Sequence, residues 1–229
     1  MIKSVCLLVV CAASACAADV CDPVRFGGPY AFQLSGMTNI SGTPQPTVSI
    51  GRIVFDGSGK ITGTSSATFS GLLLGNPVTG TYEARRDCTL NWQLQDDSGA
   101  YQHFTGKIPP DAQRIAFRQT DPGGTSGTMD RTADNCSAVD LKRNYEYVVA
   151  GTIKAMNPGE SGRNVSARGM LDVARGGDFK VDADCAVHFT LNLPDGPASI
   201  RGFLVNGGKQ ILGFQTDPGA MVSVRLTAK

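Results

Sequence analysis

Charge is scarce in this chain, and so are histidine and long apolar runs. Only 18 % of its 229 residues are Asp, Glu, Lys or Arg, and the formal net charge is +1. Binding a phosphate backbone takes an excess of Lys and Arg, so nucleic acid is excluded as a partner. The whole sequence has two histidines, His103 and His188, and no Cys-x-x-Cys. Ligand clusters at metal spacing are therefore missing, and neither a metal nor a cofactor is expected. No Gly-x-Ser-x-Gly elbow marks a hydrolase nucleophile. Nothing approaches the run of about 20 apolar residues that a membrane-crossing helix needs. Amphipathic helices longer than two turns are absent as well.

The chain does contain glycine, 28 residues of it, with Ser and Thr scattered through alternating segments. That composition favours short strands joined by tight turns. Residues 1–17 carry an early lysine, a short apolar core and Ala15-Cys16-Ala17, the pattern of a cleaved export signal. The alternative is a lipoprotein signal with Cys16 as the lipid-bearing residue, although Ala13 stands where that pattern has leucine.

An internal repeat organises the remainder. Cys21, Tyr30 and Gly36 recur as Cys136, Tyr145 and Gly151 at an offset of 115. Tyr82, Cys88, Leu90, Trp92 and Leu94 recur as Phe179, Cys185, Val187, Phe189 and Leu191 at an offset of 97. The pentapeptide Gln-Thr-Asp-Pro-Gly occurs at 119–123 and again at 215–219, an offset of 96. Proline presets φ, glycine accepts a positive φ and aspartate bonds to the backbone, so the pentapeptide reads as a hairpin turn. The fall from 115 to 97 means that the second copy has lost 18 residues, about one hairpin. The division expected is 1–17 signal, 18–134 first β-barrel repeat and 135–229 second β-barrel repeat.

Four cysteines lie beyond the signal and allow three pairings. The repeat selects one of them, Cys21–Cys88 with Cys136–Cys185, a bridge inside each copy; an exported chain permits it.

Seven or eight short antiparallel strands per copy must hide one face and dispose of their edges. An up-and-down barrel solves both problems, with a β-sandwich as the alternative. Residues 42–47, with two prolines, read as loop, and Gly51 reads as a bulge because the apolar face shifts from Ile50 to Ile53 and Phe55. Asp56-Gly57-Ser58-Gly59-Lys60 is a turn: Val54 and Ile61 break the phosphate-loop spacing. Asp87 and Asp184 each precede a cysteine and read as turn residues.

Gly-Thr-Tyr before an Asp-Cys pair, an alternating strand, and then the Gln-Thr-Asp-Pro-Gly hairpin resemble a group of uncharacterised exported bacterial proteins. Those look like small barrels of the allene oxide cyclase-like or lipocalin-like (calycin-type) kind. The resemblance implies a barrel fold and a small apolar ligand, but no particular activity. The plausible cavity lining is Tyr82, Trp92 and Phe117 in the first copy, with Phe179 and Phe189 in the second. Three functions stay open: a noncatalytic binding or structural protein of the envelope or exterior, a cyclase or isomerase using a barrel pocket, and an adhesion module. The partners expected are a small apolar ligand or an envelope component.

Overall fold

A computed structural model describes residues 21–40, 43–69, 71–97, 99–155, 161–175 and 178–229. The signal expected at residues 1–17, including Cys16, lies outside the described residues. The first unit comprises β1 (Gly28–Ile40), β2 (Thr43–Phe55), β3 (Lys60–Phe69), β4 (Leu72–Ala84), β5 (Thr89–Asp96), β6 (Tyr101–Lys107), β7 (Arg114–Gln119) and β8 (Ser126–Arg131). Each strand pairs antiparallel with the next, and β1 also pairs with β8, so the sheet closes into an eight-stranded barrel. Closure leaves no edge in the first unit, as the alternating pattern demands.

The second unit comprises β9 (Asn144–Ile153), β10 (Arg163–Asp172), β11 (Lys180–Val181), β12 (Ala186–Leu193), β13 (Gly196–Val205), β14 (Gln210–Gln215) and β15 (Ala220–Ala228). Its strand order is β10-β9-β15-β14-β13-β12-β11, a seven-stranded sheet ending in β10 and β11 where the sequence predicts a second closed barrel. The reason is the shortened stretch. Leu171 pairs with Tyr145 as Ile53 pairs with Tyr30, and Phe179 takes the place of Tyr82. A few residues therefore stand where the first unit has β3 and most of β4. An ion pair joins Arg163 on β10 to Asp195 in the β12–β13 turn.

Local chemistry explains several strands and turns. Val48 and Ile50 point outward from the barrel, whereas Ile53 and Phe55 point in, and both faces of β2 are buried. The register runs unbroken through Gly51, paired with Phe32 on one side and Ser65 on the other, so there is no bulge. Glycine is required there because a Cβ would lie 2.5 Å from the Phe32 ring. The same arrangement recurs at Gly169, opposite Tyr147. Residues 43–46 are strand, not loop: they pair with β1, while the β3 ladder begins only at Thr47. Pro44 and Pro46 thus sit where one side of the strand is free, the place a sheet tolerates proline.

The turn expected at residues 56–60 joins β2 to β3. Asp56 accepts hydrogen bonds from the Ser58 hydroxyl and from the Lys60 and Ser58 backbone N–H groups, which hold its carboxyl at about 2. Both disulfides are those the repeat selects, Cys21–Cys88 and Cys136–Cys185. Cys88 and Cys185 each occupy a positive φ, 65° and 69°. The preceding Asp87 and Asp184 accept the backbone N–H two residues on, from Thr89 and Ala186.

A third apolar core joins the two units. Ala31, Val48 and Ile50 on the outer face of the barrel pack against Ala186, Phe203, Val205, Leu212 and Phe214. Around it the Gln33 amide donates to the Gly213 and Val224 carbonyls, Arg225 to the Thr128 hydroxyl and Arg201 to the Ser66 hydroxyl. Asp130, fully buried, accepts from Arg114 and from the Asn206 amide. The second sheet is thereby fixed against β1, β2 and β3.

Candidate functional site

The interior of the first barrel divides into three zones. At one end the segment leading from Cys21 brings Phe26 into a cluster with Tyr30, Phe55 and Tyr82, ring centroids 4.9–5.8 Å apart. Tyr82 donates its hydroxyl to the Phe26 carbonyl. Tyr30 donates to the carbonyl of Ala112, a residue held at φ 48°, and burial pushes its phenol pKa up. In the middle Trp92 stacks on Phe104 at 5.3 Å and meets Phe117 edge-on at 5.1 Å. Both Trp92 and Phe117 are buried core residues. The expected lining residues Tyr82, Trp92 and Phe117 therefore occupy the filled part of the barrel. In the second unit Phe179 and Phe189 stack on each other at 4.7 Å within its core.

The third zone is the other end, and it is not filled. A cavity of about 70 Å³ opens there among the inward residues of β1–β6 and the β7–β8 turn. Its walls are mostly polar: Thr38, Thr47, Ser49, Ser65 and Asn76 from the first four strands, Asp96 and Gln102 from β5 and β6, Gln119 and Thr125 from the last turn. Leu34, Ala67, Leu74, Val78 and Leu94 supply the apolar part. The register explains the set. Gly36 pairs with Thr47 and Leu34 with Ser49, so alternate residues of β2 beyond the Phe32–Gly51 pair present hydroxyls to the interior.

Several of these groups are already engaged. Ser49 and Ser65 share a hydrogen bond of 3.2 Å across the β2–β3 ladder, and Thr125 donates to the Gln119 side-chain carbonyl. The Thr47 hydroxyl is different. Thr47 is 4 % exposed, and its oxygen has no hydrogen-bond partner among the described residues. A buried hydroxyl without a partner carries a desolvation penalty that native proteins rarely leave uncompensated. Among the described residues no lysine or arginine lines the cavity.

Gln-Thr-Asp-Pro-Gly forms the β7–β8 and β14–β15 hairpin turns that the sequence predicts, and its aspartate bonds a neighbouring strand as well. The Asp121 carboxylate reaches β6, accepting from the His103 backbone N–H, and Gln119 donates to the same carboxylate. Asp217 accepts from Ser199 on β13 and from Gln215 in the same way. The motif clamps one hairpin onto the next, and in doing so aims Gln119 at the cavity. Desolvation opposes ionisation of Asp121, but these hydrogen bonds outweigh it and hold the carboxyl below its ordinary range.

Neither histidine belongs to the cavity. His103 bonds Asp121 through Nδ1 at 2.8 Å on the outer surface, and the His188 side chain is half-exposed on the outer face of β12. Among the described residues no cluster of three His, Cys, Asp or Glu is placed to hold a metal ion. The polar mouth was missed in the sequence because hydroxyl residues on strands read as the solvent face. Their inward direction depends on which of two buried faces of β2 looks into the barrel. No family model matches the chain, and a search of curated proteins finds no match.

Proposed function

We propose that this chain is an exported, noncatalytic binding protein whose ligand site is the open end of the first barrel. The two disulfides point to folding outside the reducing cytoplasm, in keeping with the signal-like residues 1–17. No helix among the described residues is long and apolar enough to cross a membrane. The observation that carries the reading is the cavity with the buried, unpartnered Thr47 hydroxyl in its wall. A ligand hydroxyl or amide supplies the missing partner.

Size narrows the ligand. Sites for drug-sized molecules run to roughly 300–1,000 Å³, several times this volume. Bulky apolar molecules have no room in the space, and the aromatic zone beneath is occupied by its own side chains. The reading therefore moves from the apolar ligand expected of calycin-like barrels to a small polar one.

Residue-resolved amide spectra of the mature chain test the site. Small polyols, methyl glycosides, short fatty acids and phosphate are titrated in turn. Shifts are expected to gather at Thr38, Thr47, Ser65 and Gln119; a set that moves none of these would overturn the reading.

A further inference from the structure

The second unit supplies an internal control for the mouth of the first. Equivalent positions follow from strand register, and the corresponding end of the second sheet encloses a smaller cavity of about 50 Å³. On the first two strands of each unit, Thr38 and Thr47 are matched by Ile153 and Val165. On the strands that carry the next wall, Asp96 and Gln102 are matched by Leu193 and Ala198. Thr125, beside Gly36, is matched by Val222, beside Gly151. Every one of these polar residues has an apolar counterpart in the same backbone setting.

One polar residue persists in both units, and its surroundings record the change. Gln119 and Gln215 both line their cavities and both donate to the aspartate of their turn. The Gln119 carbonyl oxygen receives the Thr125 hydroxyl, whereas the Gln215 carbonyl oxygen is buried without a partner among the described residues. Valine at 222 has nothing to donate. The Arg163–Asp195 ion pair then spans the entrance of the second cavity, between residues that line it.

This fold therefore builds the same strand ends with Ile, Val, Leu, Ala and Val. The hydroxyls, carboxylate and amide at the first mouth are not demanded by the architecture. Resting on the proposed binding role, we infer that the first mouth selects a small neutral compound bearing adjacent hydroxyl groups, and that the second unit lacks the site. The chemistry of the wall sets the class. Thr47 and Thr38 donate and accept, Gln102 and Asn76 do both through separate atoms, and Asp96 accepts strongly. Such a set matches hydroxyls, each of which is donor and acceptor at once. An anion would meet the Asp96 carboxylate, and among the described residues the lining carries no lysine or arginine to hold it.

Two sources share this chemistry, a free polyol and the terminal sugar of a glycan. Glycerol and methyl α-glucoside represent them, with decanoate and phosphate as the apolar and anionic comparisons. Affinities are measured for wild type, Thr47→Val, and a variant carrying Thr47→Val, Asp96→Leu, Gln102→Ala and Thr125→Val. These are the residues that the second unit already accommodates, and amide spectra and urea midpoints verify that the variants fold. The expected result is that glycerol or the glucoside binds wild type with shifts at the mouth. Thr47→Val weakens it about tenfold, and the fourfold variant abolishes it. Equal polyol affinity in the fourfold variant would overturn the inference. Decanoate or phosphate binding at the mouth in place of the polyols would overturn the ligand class while leaving the mouth as the site. Silence of all four probes there would remove the binding role as well.

Discussion

Phe32 and Gly51 show how one residue pair fixes what a strand can do. The ring covers the glycine, and an added methyl would lie 2.5 Å from both the ring and the Thr64 carbonyl. Gly51→Ala is expected to cost about 1–3 kcal/mol, the range for forcing volume into a packed interior. Urea midpoints at matched slope measure it, and an unchanged midpoint would show that ring and backbone can yield. Acid behaviour belongs to the same scale. Asp87 accepts the Thr89 backbone N–H and then the Thr89 hydroxyl, and with these its carboxyl falls to about 2, as does that of Asp56. Both lie below the ordinary 3.8. Stabilisation from a depressed carboxyl is complete above its unfolded pKa and lost as pH falls through the folded one. Urea midpoints should therefore drop between about pH 4 and about pH 2. The Asp56→Asn, Asp87→Asn double variant should drop less over that interval; parallel curves would contradict the assignment. The turn role of Asp87 is legible in sequence because Asp before a turn has one dominant local use. The inward face of Thr47 is not. A threonine on a strand looks the same whether it meets solvent, a neighbouring sheet or a cavity, and Thr62 and Thr38 differ only by register.

At the scale of elements, the two disulfides and the shortened stretch were open to reading because they obey the arithmetic of the repeat. Each bridge ties the start of its unit to the same positive-φ cysteine before the β5 or β12 strand. Cys21–Cys88 spans 67 residues and holds the segment that carries Phe26 into the end of the barrel. Replacing both cysteines by alanine should cost about 4 kcal/mol by loop-closure entropy. Cys136–Cys185, spanning 49 residues, should cost nearly as much, also about 4 kcal/mol. Denaturant unfolding of each pair variant checks this, and a loss below about 1 kcal/mol would show that the segments are held by packing alone. The open second sheet was less legible. Eighteen fewer residues signal a missing hairpin, but closing seven strands around a smaller core and leaving them open are equally compatible with that count. What decides it is β11, only two residues long, which pairs with β12 and not with β10. The extension of β2 and β4 also escaped the pattern. Prolines 44, 46 and 77 and the exposed leucines 72–74 lie toward one end of the barrel, where β2 meets no β3 partner and β4 runs beyond β5.

Across the whole molecule, the two units behave as one body because their outer faces share a core. Phe203 and Phe214 are buried in it, yet on the sequence each looks like part of a continuous apolar run, Gly202 to Val205 and Ile211 to Phe214. A run buried on both faces signals contact on both sides of a sheet. It does not say that the second contact is the other copy. Phe214→Ala should destabilise by about 3–5 kcal/mol. It should also split the single calorimetric transition expected of wild type into two, one for each unit. Two transitions in the wild type would mean that the units unfold independently despite the contact. The interface also gives the second unit a task that needs no ligand. Its sheet backs β1, β2 and β3, the strands whose inner faces carry Thr38, Thr47, Ser49 and Ser65. A site whose residues sit on strands braced from behind is held more firmly than one on loops.

The central claim is that the two units share the strand pairings at one end and differ there in polarity. A high-resolution crystal structure of the ligand-free protein, with its ordered waters, tests this most directly. The account predicts waters hydrogen-bonded to Thr47 Oγ1 and its polar neighbours in the first mouth, and fewer in the second, where Ile153, Val165 and Leu193 stand in their place and only Gln215 Oε1 calls for one. A first mouth packed shut by its own side chains, or two mouths equally wet, would contradict it.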